Sequence, residues 1–282
     1  MAFPIKGGVA VITGAASGIG AALAANLARR GMDLALADRN ADGLAATAVL
    51  ARAAGVKVSE HLLDVTDVAA LEALPEAVLA AHGKVTVLVN NAGVALIGDF
   101  DQVSLTDFAW LMDINFWAPV RLTKAFMYVL RQENAAHIVN ISSVFGIIAP
   151  PGQAAYCAAK FAIRGFSESL RHELAATNIS LTVVHPGGIR TAIADSARLS
   201  QGIDPAEARA ATAEFNKFLK TSPEDAAEAI AQAILARKPR LLIGRDARFI
   251  DIIQRIFPVT YWKRIAKGQG NVAAALAPDK RA

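Results

Sequence analysis

Short aliphatic runs alternate with amphipathic helical stretches along nearly the whole chain, and that rhythm leaves few folds open to it. Strands joined by crossover helices pair in parallel, and a parallel sheet must bury both of its faces. Val9-Ala-Val-Ile-Thr13 reads as the first strand and passes through a glycine-rich turn into a helix that Gly31 ends. Further strands read at 33–38, about 57–63, 85–90, 137–142, 179–184 and 240–244. Helices fall between them, at about 67–81, 105–132, 154–176 and 223–236, with another ending before Gly55. The pattern predicts an α/β fold: a doubly wound parallel sheet of about seven strands flanked by helices. Residues 186–222 break the rhythm with glycine, proline and mixed helical patches, and are the candidate lid. Residues 1–245 read as one domain, and 246–282 as a C-terminal amphipathic extension whose helical stretch spans about 247–267.

Apolar residues are 54% of the 282 and charged ones 19%, enough to bury a large core and too apolar for wholesale disorder. Twenty-nine basic against 25 acidic residues leave a formal charge of +4, spread along the chain, which argues against nucleic acid as a partner. Cys157 is the single cysteine and has no internal disulfide partner, as expected in a reducing compartment. No apolar run reaches the ~18 residues a membrane span needs, and the N-terminus lacks a leader pattern. These features predict a cytoplasmic protein without a transmembrane segment. The five histidines (61, 82, 137, 172, 185) show no ligand spacing, so no metal site is expected.

Thr13-Gly14-Ala15-Ala16-Ser17-Gly18-Ile19-Gly20 joins the first strand to the first helix. Missing Cβ atoms permit the tight turn and let backbone approach a pyrophosphate at the helix N-terminus. The spacing is G-x-x-x-G-x-G rather than G-x-G-x-x-G, so position carries the reading: the turn lies after strand one and before a helix. Asp38 closes the second strand, where a carboxylate accepts hydrogen bonds from ribose hydroxyls and repels a 2′-phosphate. Arg39 beside it would instead attract that phosphate. Ser17 adds no basic contact, and the balance favours NAD over NADP.

Tyr156 and Lys160 are four residues apart near the start of a predicted helix, on one face of it. A tyrosine trading protons near neutrality needs its pKa of ~10 lowered by ~2–3 units, ~3–4 kcal/mol. An ammonium ~5 Å away at an effective dielectric of ~20 supplies about 3 kcal/mol. Ser142-Ser143 ends the strand before that helix, at the edge where parallel sheets hold their ligands. Asn90-Asn91-Ala92-Gly93 ends another strand, Asn115 sits within a long helix where Asn is mildly unfavourable, and Pro186-Gly-Gly-Ile-Arg-Thr191 follows a third.

Together these motifs resemble the short-chain dehydrogenase/reductase family, in its ordinary non-extended type, over about residues 5–245. The resemblance implies a Rossmann-type sheet and assigns Asn115, Ser143, Tyr156 and Lys160 to the catalytic tetrad. Tyr156 would be the acid/base, Lys160 would hold the nicotinamide ribose and lower the tyrosine pKa, and Ser143 would orient the substrate oxygen. Asn115 would kink its helix and hold a water. Cofactor contacts would come from Gly14, Ser17, Gly18, Ile19, Gly20, Asp38, Arg39, Asp64, Val65, Asn91, Ala92, Gly93, Tyr156, Lys160, Pro186, Gly187, Ile189 and Thr191. The implied activity is an NAD(P)-dependent alcohol dehydrogenase or ketoreductase, assembled as a homodimer or homotetramer. A catalytically silent NAD(H)-sensing protein on the same fold is the alternative; it predicts damage to the tetrad, and the tetrad is complete.

Val144-Phe145-Gly146-Ile147-Ile148 follows Ser143, and the lid offers Ile193, Leu199, Phe215, Phe218 and Leu219, so the expected substrate is an apolar alcohol or ketone touching Ser143, Phe145 and Tyr156. Cys157 reads as a small buried filler and His185 as a strand-end residue. In the extension, Ile250, Ile253 and Phe257 recur at helical spacing, Ile252 and Ile256 widen the stripe, and Asp251, Gln254 and Arg255 are expected to face away. Such a stripe must be covered by the body of the protein, another subunit or lipid. Basic and aromatic residues are sparse along its length, so the expectation is packing on protein, closing the substrate site or a subunit interface.

Overall fold

A computed structural model describes residues 2–217 and 219–268, without the side chains of Ala211, Phe215 and Lys267. Seven strands form one sheet in the order β3-β2-β1-β4-β6-β7-β9. They are β1 (Val9–Thr13), β2 (Asp33–Asp38), β3 (Val58–Leu62), β4 (Val87–Asn90), β6 (Ala136–Ile141), β7 (Ile179–Pro186) and β9 (Arg240–Ile243). Every neighbouring pair is parallel. Alternate side chains of each strand serve opposite faces. Ala10 and Ile12 of β1 pack with Leu23 and Leu27 of α1 (Gly18–Arg29) and with Ile230 and Ile234 of α8 (Pro223–Leu235). Val11, between them, packs into the opposite layer with Leu71 of α3 (Val68–His82) and Leu122 and Phe126 of α5 (Ala118–Arg131). Helix α2 (Ala41–Arg52) completes the first layer through Leu44 and Ala48.

The strand order reverses between β1 and β4, and a crevice opens there beyond their C-terminal ends. Polar groups stitch the crevice floor. Asn91 donates from its side-chain amide to the Thr13 and Gly14 carbonyls at 2.9 and 3.1 Å, while Thr13 Oγ1 accepts from the Asn91 and Ala92 amides at 3.1 and 3.2 Å.

Three stretches divide into shorter elements, the first at Asn115, where the family resemblance implies a kink. The helix expected over 105–132 is α4 (Leu105–Met112), a π-helical turn at Asp113–Trp117, and α5. The candidate lid contains a helix, α7 (Pro205–Asn216), and a short strand, β8 (Arg198–Leu199), paired in parallel with β5 (Leu96–Ile97). Leu199 belongs to that second sheet and is not among the residues that line the cleft, although its partner Ile97 is. Phe218, and the side chain of Phe215, lie outside the described residues. The extension forms α9 (Arg245–Ile256) and α10 (Tyr261–Gly268), broken at Phe257-Pro258. No described helix is long and apolar enough to cross a membrane.

The inner face of α9 differs from the expected one. Ala247, Ile250 and Asp251 are buried, whereas Ile252 and Ile256 point to solvent. Asp251 turns inward because Arg240 on β9 receives it in a two-pronged ion pair at 2.7 and 3.2 Å, and Arg255 joins at 3.1 Å.

Candidate active site

A cleft of about 1420 Å³ runs from the glycine turn, over the ends of β1, β4, β6 and β7, to the lid and the C-terminal extension. That is larger than the ~300–1,000 Å³ of an ordinary small-molecule pocket, and suits two ligands end to end. At one end, Gly14 and Gly18 hold left-handed backbone, and a Cβ on Gly20 would collide with the Gly14 carbonyl. Ser17 occupies the N-cap of α1 but makes no capping hydrogen bond, so the first N–H groups of that helix lack the usual side-chain acceptor. This is a cradle for an anion such as a pyrophosphate. Asp38 stands on the same wall, its carboxylate oxygens accepting from the Ala16 and Asn40 amides at 3.0 and 2.9 Å. Each oxygen keeps a lone pair for a ribose hydroxyl. Arg39 is exposed beside it, and Asp64 takes hydrogen bonds from the Thr66 backbone and hydroxyl that hold its carboxyl below the usual range.

The middle of the cleft gathers Ser143, Tyr156 and Lys160. Ser143 lies two residues past the end of β6 and caps a 3₁₀ turn, Val144–Gly146, with its hydroxyl accepting from the Phe145 amide at 3.1 Å. Tyr156 and Lys160 lie on one face of α6 (Ala154–Glu173), with the lysine Nζ 5.5 Å from the tyrosine ring centroid. Phe145 packs edge-on against that ring, centroids 6.0 Å apart. Lys160 is buried, and its ammonium donates to the Ile141 carbonyl at 3.1 Å. Burial lowers its pKa to about 8. Burial also pushes the Tyr156 hydroxyl up to about 12, against the weaker pull of the Ser143 hydroxyl. In the protein alone the tyrosine therefore shifts upward rather than downward as expected, because burial of a phenolate dominates.

Of the residues singled out for cofactor contact, Gly14, Ser17, Gly18, Ile19, Asp38, Arg39, Asp64, Val65, Asn91, Ala92, Gly93, Pro186, Gly187, Ile189 and Thr191 all line the cleft. Gly20 lies behind it, shaping the turn. Asn115 is also off the wall: within the π turn its side chain is committed to Val94, accepting from the backbone N–H and donating to the carbonyl, each at 2.9 Å. Val94 in turn lines the cleft. Cys157 is buried with its thiol pushed up to about 12, an unreactive filler. Among the described residues no three His, Cys, Asp or Glu side chains cluster to hold a metal.

Two supporting residues were not legible in the sequence. His185, buried on β7, lies with Nδ1 3.0 Å from the Ser143 carbonyl, and burial holds its pKa down at about 4. A carbonyl only accepts, so the neutral ring donates from Nδ1 and fixes the serine from behind. Asp246, in the first turn of α9, accepts from the Gly188 amide at 2.7 Å and ties the extension to the loop after β7. A side chain at Gly187 would strike that carboxylate, which explains the glycine. Asp246→Ala should leave the Gly188 N–H unpaired and loosen the 186–191 loop, with a melting loss of about 1–3 kcal/mol. Equal thermal unfolding of variant and wild type would refute this anchoring role.

The far end of the cleft is apolar. Ile148 and Ile193 line it together with Ile250, Trp262 and Ile265 from the extension, and Tyr261 accepts from the Ala149 amide at 3.0 Å. Val144, Ile148, Ala247, Ile250 and Ile265 form one buried cluster, so the extension and the segment after Ser143 share a core.

The profile of the short chain dehydrogenases matches residues 8–202. A Mycobacterium tuberculosis protein, SadH, classed provisionally as an oxidoreductase, is 43% identical over 267 residues, covering 93% of this chain and 95% of that one. A Burkholderia phymatum short chain dehydrogenase/reductase solved in complex with NAD superposes with a TM-score of 0.83 at 34% identity, over 90% of this chain and 95% of that one. A Thermococcus sibiricus alcohol dehydrogenase complexed with 5-hydroxy-NADP gives 0.72 at 28% identity, over 84% and 95%. With the sheet order and the cleft motifs all agreeing with a match over most of its length, the chain belongs to the short-chain dehydrogenase/reductase family.

Proposed function

We propose that the protein is a nicotinamide-dependent oxidoreductase that interconverts a secondary alcohol and a ketone on an apolar substrate. The observation that carries this reading is the convergence of Ser143, Tyr156 and Lys160 on one wall, between an anion cradle and an apolar chamber. When bound, the cofactor supplies or accepts the hydride. In the reducing direction the Tyr156 hydroxyl, fully protonated at neutral pH, donates its proton to the carbonyl oxygen. Ser143 donates a hydrogen bond to the same oxygen. Lys160 places positive charge behind the tyrosine and offers its remaining N–H donors to the ribose. Asn115 and His185 act through backbone, holding Val94 and Ser143 in place.

Asp38, with Asp64 close enough to draw on the charge of Arg39, favours NAD over NADP by at least ~10-fold, about 1.4 kcal/mol. Asp38→Ser should remove the repulsion of a 2′-phosphate and shift preference toward NADP; faster turnover of wild type with NADPH would show that Arg39 dominates. Trp262→Ala should raise KM for bulky ketones several-fold while sparing small ones, because the indole walls only the far chamber. An equal change for both would remove Trp262 from the substrate site. Cytoplasmic location and a homodimer or homotetramer belong to the same reading, supported by the lone thiol and by Trp117 and Tyr128, which are exposed apolar surface for a second copy.

The test is a screen of aliphatic, aryl and polycyclic secondary alcohols and ketones with both cofactors, read by nicotinamide absorbance. Turnover confined to apolar substrates is the expected result. Cofactor binding without turnover of any of them would favour the silent sensor.

A further inference from the structure

Helix α9 has two apolar faces, and the cleft uses only one. At about 100° per residue, Ala247, Ile250 and Asp251 share the buried arc, while Phe249, Ile252 and Ile256 share an arc of about 60° on the opposite side. Those three are 51%, 54% and 61% exposed, and Val259, just past the break, is 90% exposed. Isolated exposed apolar residues are ordinary, but a row at i, i+3 and i+7 is a continuous stripe, and Val259 adds apolar surface in the turn beyond it.

The charge around the stripe identifies what it fits. Arg248 stands exposed on α9, as does Arg255 although paired with Asp251, and Lys263 and Arg264 stand exposed on α10; Arg245, also exposed, lines the cleft. The only acids between residues 245 and 266 are turned inward: Asp246 serves the Gly188 amide, and Asp251 serves Arg240 and Arg255. The outer surface of the extension is thus an apolar stripe with basic residues beside it and no acid of its own. A second copy of this chain is a poor occupant, because a two-fold contact would press one basic rim against the other. Negatively charged headgroups over an apolar layer match both features at once.

We propose that this face docks on the surface of an anionic lipid bilayer, lying in the interface rather than crossing it. The inner sides of the same helices supply Ile250, Trp262 and Ile265 to the apolar end of the cleft, so docking sets the chamber beside the lipid. A lipophilic alcohol or ketone would then pass from bilayer to cleft with little exposure to water. That last consequence rests on the proposed activity; the docking itself does not.

The experiment is co-sedimentation of the full chain with phosphatidylcholine vesicles, with and without about 30 mol % phosphatidylglycerol, at low and high salt. Wild type should bind the anionic vesicles at least ~10-fold better than the neutral ones, and lose that binding at high salt. The double variant Ile252→Ser/Ile256→Ser changes only exposed side chains, so it should keep its melting temperature and turnover of a water-soluble ketone while vesicle binding falls at least ~5-fold. Arg248→Gln/Lys263→Gln should lower binding to anionic vesicles alone. Wild type that ignores both vesicles overturns the proposal, as does a stripe variant that binds like wild type. Binding that appears only after deletion of residues 269–282 overturns it in favour of that segment as the occupant. A change of solution mass in the stripe variant, without a change in vesicle binding, overturns it in favour of a second copy. Vesicle binding is read without turnover, so its failure and failure of the proposed activity are separable.

Discussion

Tyr156→Phe should abolish turnover while leaving cofactor binding nearly unchanged. The substitution removes one oxygen and keeps the ring, so the edge-on packing against Phe145 at 6.0 Å survives and the wall keeps its shape. Removal of a positioned proton donor costs ~10²–10⁴-fold in rate. Ser143 does not replace it: an aliphatic hydroxyl is a far weaker acid than a phenol, and its oxygen is already engaged as acceptor by the Phe145 amide. The measurement is kcat beside the dissociation constant of the reduced cofactor. A variant keeping more than about a tenth of wild-type kcat would remove Tyr156 from the acid/base role.

Lys160→Met should produce a split result: activity lost by about 100-fold or more, and the protein without cofactor more stable than wild type. The cause is the depressed pKa. Lys160 titrates near 8 in the folded chain against 10.5 for the free side chain, so the native state binds this proton less readily than the unfolded state. Burying the ammonium therefore costs stability, in full below pH 8, and the cost fades as pH rises toward 10.5. The difference corresponds to about 3 kcal/mol. Methionine has similar length and no charge to desolvate, so at pH 7 the variant should melt higher. Wild type should gain on it between pH 8 and 10.5. A lower melting temperature for the methionine variant at pH 7 would show that the hydrogen bond to Ile141 outweighs desolvation.

These opposed effects also separate what one sequence can state from what it cannot. The strand–helix rhythm and the glycine turn were legible because they are local. Val9–Thr13 must be extended, aliphatic and buried, and the residues needed at the end of each strand lie within a few positions of it in the chain. Placement of Ser143, Tyr156 and Lys160 followed from the same regularity, since a strand end and the first turns of the next helix meet at one edge of a parallel sheet.

Tertiary structure decided what depends on partners distant in sequence. The π turn around Asn115 is held by Val94, 21 residues away; the sequence marked an unfavourable Asn in that helix but not the partner that holds it. The pairing of Leu96–Ile97 with Arg198–Leu199 joins segments too short to read as strands. Asp246 acquires a purpose only because Gly188 is folded against it. The direction of the Tyr156 pKa came from burial, which spacing does not encode. The orientation of α9 is the clearest case, because the sequence presents apolar residues on both of its sides. Periodicity put Ile252 and Ile256 on the inner stripe and Asp251 outside it; Arg240 on β9 reversed both by drawing Asp251 inward and turning Ile252 and Ile256 out. A helix with two apolar faces has no inside until the rest of the chain supplies one.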